Sequence, residues 1–170
     1  MIMKIKSFMM MVAGAAFMMS VSSCSSSNND EPEVPLASQV VGSYTGQEIL
    51  TVDGEPDEGT ATFVFTKASD IAVDMTIPEY GMGMMTLPAL PVKNITLTKS
   101  GNTITGKLAS YAGSVKNASG DEKSYTISDI TVIFNGNTVV TTFTMKYGNM
   151  PFAFEGWFTG ETTKFVLKSC

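Results

Sequence analysis

Ile130-Thr131-Val132-Ile133-Phe134-Asn135-Gly136-Asn137-Thr138-Val139-Val140-Thr141-Thr142-Phe143-Thr144-Met145-Lys146 is the stretch that decides the fold. Ile130, Val132 and Phe134 fall on one parity before the Asn-Gly pair. Val139, Phe143 and Met145 fall on one parity after it, against Thr138, Thr142, Thr144 and Lys146. A period of two is the signature of a strand with one buried face. Asn135-Gly136 supplies the left-handed backbone that a tight hairpin needs, so the two runs are expected to pair antiparallel.

The same grammar continues outward. Upstream, Tyr125 and Ile127 belong to the opposite parity from Ile130, Val132 and Phe134, which predicts a bulge near Ser128-Asp129. Ala61, Phe63 and Phe65 alternate with threonines, and Ile71, Val73, Met75 and Ile77 alternate with Ala72, Asp74 and Thr76. Phe152, Phe154 and Phe158 alternate with Ala153, Glu155 and Thr159. Turn chemistry at Asp53-Gly54, Ser100-Gly101-Asn102, Ser119-Gly120 and Gly148-Asn149 separates the runs. The pattern predicts eight or nine strands over 42–52, 60–67, 70–77, 92–99, 103–110, 123–134, 138–147, 151–159 and 163–168, and no helix. The expected fold is all-β, an antiparallel meander closed into a barrel, with a β-sandwich as the alternative. Closure removes exposed edges. A membrane-spanning barrel fits poorly, because the outward positions are Thr, Lys, Asp and Glu rather than an apolar band.

Composition excludes several chemistries. The 170 residues contain no histidine, and all 11 basic residues are lysine. Without histidine the usual neutral-pH base, the Ser/His/Asp and Cys/His arrangements and the commonest metal ligand are missing. Without arginine, and with acids in excess, nucleic acid is not an expected partner. No cofactor or metal is expected, and the chain does not read as an enzyme. Glu48, Asp74 and Glu155 are expected to face solvent, with nothing to set two of them across a cleft.

Lys4 and Lys6 precede an uncharged run rich in Met, Ala, Phe and Val that ends in serines, the layout of a secretory signal. The core is short for a membrane-spanning helix. The junction Val21-Ser22-Ser23-Cys24 resembles the lipobox of bacterial lipoproteins. That resemblance implies cleavage before Cys24 and a diacylglycerol on its thiol, which anchors the protein to a membrane durably. Loss of residues 1–23 leaves nine lysines against sixteen acids, a net charge of about −7. The expected organisation is a signal peptide at 1–23, a lipidated flexible tether at 24–38 rich in Ser, Asn and acid, and a barrel domain at 39–170. Acids after the lipid cysteine resemble the surface-export signals of Bacteroides-type lipoproteins, which implies an outer-membrane lipoprotein on the cell surface or the periplasmic face. Cys170 is then an unpaired terminal cysteine, expected to be exposed and without a role.

Three further segments resemble the calycin-like β-barrel lipoproteins of Bacteroides-type bacteria: Val41-Gly42-Ser43-Tyr44-Thr45-Gly46, the hairpin from Phe63 to Ile77, and Pro91-Val92-Lys93-Asn94-Ile95-Thr96-Leu97. Kinship with lipocalins implies a Gly-x-Trp opening. Here Gly42-x-Tyr44 stands in its place, so Tyr44 is expected as an aromatic plug of the barrel floor. Calycins often bind small apolar ligands inside the barrel.

The candidate ligand contacts are therefore Tyr44, the Met/Gly segment with Met82, Met84 and Met85 as an adaptable apolar lip, and Trp157. Closely spaced thioethers could also hold Cu(I), and the acids Asp53, Glu55, Asp57 and Glu58 could hold Ca²⁺, although their spacing matches no regular calcium loop. Trp157 sits on the parity opposite Phe154 and Phe158, so either it faces out or the core lies on its side. An outward tryptophan suits stacking on a sugar. The expected function is binding of a small apolar or amphipathic ligand in the barrel. The alternative is an interaction module presenting its outer surface to a protein or glycan partner.

Overall fold

The Asn135-Gly136 hairpin joins β8 (Glu122–Asn135) to β9 (Thr138–Tyr147), paired antiparallel from Asn135↔Thr138 up to Tyr125↔Tyr147. Gly136 takes a φ of +63°, the left-handed conformation the turn demands. The structure, a computed structural model, describes residues 33–82 and 85–162, and of Met82 and Met85 the backbone only. Cys24, Met84, the expected strand at 163–168 and Cys170 lie outside the described residues.

Six more long strands complete the wall: β1 (Gly42–Val52), β2 (Glu55–Ser69), β3 (Ala72–Ile77), β6 (Leu90–Ser100), β7 (Thr103–Lys116) and β10 (Phe154–Glu161). The sheet closes on itself in the order β1-β10-β9-β8-β7-β6-β3-β2, every pair antiparallel. It is an eight-stranded barrel with a calycin- or lipocalin-like meander, and the sandwich alternative is set aside. A separate two-stranded hairpin, β4 (Tyr80–Met82) and β5 (Met85–Leu87), interrupts the meander between β3 and β6. Periodicity does not reveal it, since three-residue strands carry too few positions to show a period. Nor does it reveal α1 (Leu36–Val40), a single helical turn ahead of β1 where no helix is expected. The compact unit bearing the barrel begins at Glu33, ahead of the boundary expected at residue 39. The reason is packing: Ala37 and Val40 are buried in the core, and the Ala37 amide donates to the Asp70 carbonyl at 3.1 Å.

The parity that predicts the strands also fills the lumen. Phe63 and Phe158 stack with centroids 4.2 Å apart, and Phe65 meets Phe134 edge-on at 5.0 Å. Phe63 also reaches Phe143, at 6.3 Å. These rings come from β2, β8, β9 and β10, so they touch across the barrel and pack that level of the interior as a core. Ile71 departs from expectation. It is 59% exposed, because the β2–β3 turn occupies residues 70 and 71 and the inward parity starts only at Val73.

Two irregularities shape the wall. The register of β8 against β9 shifts between Ser128 and Thr131, with Asp129 at φ +55°, which is the bulge that the parity change predicts. The second is a splay. β6 pairs with β7 only from Thr96↔Lys107 to Ser100↔Thr103, while β7 continues along β8 to Lys116. Pro91 has no amide proton to donate, and Asn94 (φ +60°) marks a register shift against β3, so the start of β6 cannot follow β7. Tyr125 bridges the splay, its hydroxyl donating to the Pro91 carbonyl at 2.5 Å. Gly113 permits this: a Cβ there would lie 2.6 Å from the Tyr125 ring.

Candidate functional site

The burial of Phe154 and Phe158 settles which side of β10 is the core. Trp157 therefore belongs to the outer face. The register places Ile49 of β1, Trp157 of β10 and Thr142 of β9 side by side across three strands. One step along the strands, Thr51, Glu155 and Thr144 form the next row. These residues, with Asp129, line a shallow concavity of about 370 Å³ on the outer wall.

Local sequence explains each wall of it. The bulge at Ser128-Asp129 turns Asp129 out of the alternation and to the rim, where Ser128 Oγ donates to its carboxylate at 3.2 Å. The floor is set by Gly156. A Cβ there would come within 2.2 Å of the Phe143 ring, so only glycine lets that ring lie against β10 beneath Trp157. A second concavity of about 360 Å³, lined by Asp53, Gly54, Pro151, Phe152 and Ala153, shares Thr51 and Glu155 with the first. The two form one run along the β1–β10 wall, with Trp157 in one part and Phe152 in the other. Phe152 is braced from behind by Phe154, at 5.6 Å between centroids. The lining supplies two aromatic faces, threonine hydroxyls and the carboxyls of Asp129, Glu155 and Asp53, and no cation. Such a set can stack on an apolar face and accept hydrogen bonds around it. It offers no positive charge to an anion.

Of the expected contacts, Tyr44 and Trp157 stand on opposite faces of the wall. Tyr44 is 2% exposed on the inner face, packed against Phe65 at 5.6 Å and Phe134 at 5.8 Å. Its hydroxyl donates to the Val40 carbonyl at 3.0 Å, tying α1 to the barrel, and burial pushes its pKa up. Tyr44 is thus a packed residue of the inner face, not an open ligand contact. Met82 and Met85 are partners at the end of the β4–β5 hairpin. Met84 lies outside the described residues.

Expectation fails at Glu48. It faces the lumen rather than solvent, between Tyr44 and Leu50 on the inner parity of β1. Burial raises its pKa from 4.5 to about 7, and its Oε1 has no hydrogen-bond partner among the described residues. Thr141 Oγ1 and Tyr147 Oη are likewise buried without a partner among those residues. Asp74, by contrast, lies on the outward parity of β3. Desolvation works to raise its pKa, but hydrogen bonds from Lys93 Nζ at 2.9 Å and the Asn94 amide at 3.0 Å outweigh it and hold it low. Sequence reasoning does not bring Asp129, Ile49, Thr51 and Glu155 together with Trp157. The parity break at Ser128-Asp129 is the one visible signal.

The class of protein this defines is a closed eight-stranded antiparallel barrel with a packed interior and an outer-wall groove. Its fold is similar to a crystal structure of a "putative outer membrane protein" from Bacteroides fragilis NCTC 9343. The TM-score is 0.56 at 18% sequence identity, over 76% of this chain and 53% of that one. This chain spans about half the length of that protein, and the likeness at this identity concerns the fold. Neither a protein-family profile nor a curated protein matches the sequence.

Proposed function

We propose that this chain is a cell-envelope barrel protein that holds a neutral glycan against its outer wall at Trp157. The observation that carries the reading is the groove itself: an aromatic ring in a concavity of about 370 Å³, ringed by hydroxyls and carboxyls and free of cations. Sugars present an apolar C–H face and a rim of hydroxyl donors, which this lining complements. The packed rings of the lumen favour the outer face over the interior as the ligand surface. Envelope location is supported by the N-terminal signal and lipobox pattern. It is also supported by the fold's likeness to a protein named for the outer membrane. Lipidation of Cys24 is part of the same proposal.

Trp157 is the sole tryptophan of the chain, so its emission reports on the groove alone. Titration of the protein with a panel of neutral oligosaccharides is expected to shift that emission for at least one of them. Calorimetry on Trp157→Ala is expected to show binding weakened about fivefold, in line with an aromatic contact of roughly 1 kcal/mol. A panel without effect, or unchanged affinity in Trp157→Ala, overturns the reading.

A further inference from the structure

One end of the barrel gathers the exposed apolar side chains. It is the end that carries α1 and the turns at 70–71, 101–102 and 136–137. Among the described residues the large apolar side chains left exposed are Val34, Ile71 and Ile133. Val34 precedes α1, Ile71 sits at the tip of the β2–β3 turn, and Ile133 lies two residues before the end of β8. The first two are held in place. The Val34 carbonyl accepts from Gln39 Nε2 at 2.8 Å. The Ile71 amide donates to Ser69 Oγ at 3.3 Å, and its carbonyl accepts from the Leu97 amide at 2.8 Å. α1 joins the two, since the Ala37 amide donates to the Asp70 carbonyl at 3.1 Å.

Charge separates the two ends. At the α1 end the turn tips carry one acid, Asp70, and Lys67 pairs with it at 2.6 Å. Lys99, near the end of β6, donates to the neutral Gln39 carboxamide at 3.4 Å. The opposite end carries Asp53, Glu55, Asp57, Glu58, Asp121 and Glu122, against Lys116 and Lys123. An anionic surface therefore repels the far end and tolerates the near one. The chain also enters the barrel domain at the α1 end, at Glu33. Glu33 is nine residues beyond Cys24. Such a stretch reaches about 30 Å when fully extended. An acylated Cys24 therefore keeps this end close to a bilayer, at a high effective concentration.

We propose that the α1 end of the barrel is a seat on the phospholipid bilayer, with Val34 and Ile71 in the interface and Lys99 at headgroup level. The proposal rests on lipidation of Cys24. An anchor at the end of a flexible tether leaves a domain free to tumble, and a second, weaker contact fixes its orientation. Two fixed apolar side chains are too few for a stable protein interface. A bilayer held nearby by the tether needs no more. In this orientation the outer-wall concavities stay clear of the lipid. Their Asp53, Gly54 and Phe152 part lies farthest from it, because the β1–β2 turn is at the opposite end from α1.

The test uses the lipidated mature protein in vesicles of phosphatidylcholine and phosphatidylglycerol, part of the lipid brominated on its acyl chains. Trp157→Phe removes the native emission, and one new tryptophan is then set at either end. Ile71→Trp is expected to emit farther to the blue and to lose about half its intensity to the brominated lipid, as a ring about 5–10 Å into the interface would. Ser119→Trp, in the turn between β7 and β8, should show neither change. Val34→Trp is a second probe of the same patch and should follow Ile71→Trp. Quenching equal at the two ends, or confined to Ser119→Trp, overturns the proposal and leaves the anchor intact. Mass spectrometry of the same protein reads the anchor separately. A Cys24 without acyl chains overturns the lipidation reading and this proposal with it.

Discussion

On the inner parity of β1 the chain sets the Glu48 carboxyl between the buried Tyr44 ring and Leu50, and the sign of its effect on stability follows from solvation. The folded pKa of Glu48 is about 7, against 4.5 when solvated. Between those values the folded state keeps a proton that the unfolded chain has lost. The stabilising contribution is complete below pH 4.5, declines as pH rises, and is gone above pH 7. At roughly 1.4 kcal/mol per pKa unit the decline amounts to about 3 kcal/mol. Denaturant midpoints of Glu48→Gln should lack this fall and exceed the parent protein at pH 8. A parent protein equally stable at pH 5 and pH 8, with all other acids accounted for, would contradict the burial. Phe158 is the counterpart in the packed lumen. Phe158→Ala removes one half of the 4.2 Å stack and should cost about 3–5 kcal/mol in chemical denaturation.

At the scale of elements, the wall is locked by contacts that only particular residues allow. Gly156→Val would bring its Cβ within 2.2 Å of the Phe143 ring, so β10 must move away from β9. The expected result is lost stability together with a changed Trp157 emission spectrum, since the tryptophan is the next residue. A spectrum and midpoint like the parent's would show that the ring has room to turn aside. The helical turn α1 is held by Tyr44 as well as by packing. Tyr44→Phe keeps the ring and leaves the Val40 carbonyl without its donor, a loss of about 1 kcal/mol. Amide exchange should quicken at Val41, whose amide closes α1 onto the Ala37 carbonyl at 3.0 Å, before it quickens in β8.

The whole molecule depends on one long-range closure. β1 and β10 are joined by eight register pairs, from Thr45↔Glu161 to Val52↔Phe154, with most of the chain between them. Contacts so far apart in sequence pay a large entropy of loop closure, so folding in milliseconds to seconds is expected rather than microseconds. A chain ending at residue 153 would leave β1 and β9 with unpaired edges. It should aggregate in sedimentation velocity, whereas the full chain stays dispersed.

The eight wall strands, their antiparallel order and most of their inward parity are written in the order of residues, because side-chain alternation and turn chemistry act between neighbours along the chain. Asn135-Gly136, the bulge at Ser128-Asp129 and the outward option for Trp157 are all legible for that reason. Which residues meet is settled only when the barrel closes. Whether Glu48 faces the lumen or solvent is decided by the packing of the inner wall, and whether Trp157 stands alone or in a groove depends on Asp129, Ile49 and Glu155. Those encounters are set by register and closure, which are properties of strands brought together. Periodicity within one strand carries no record of what lies across the sheet.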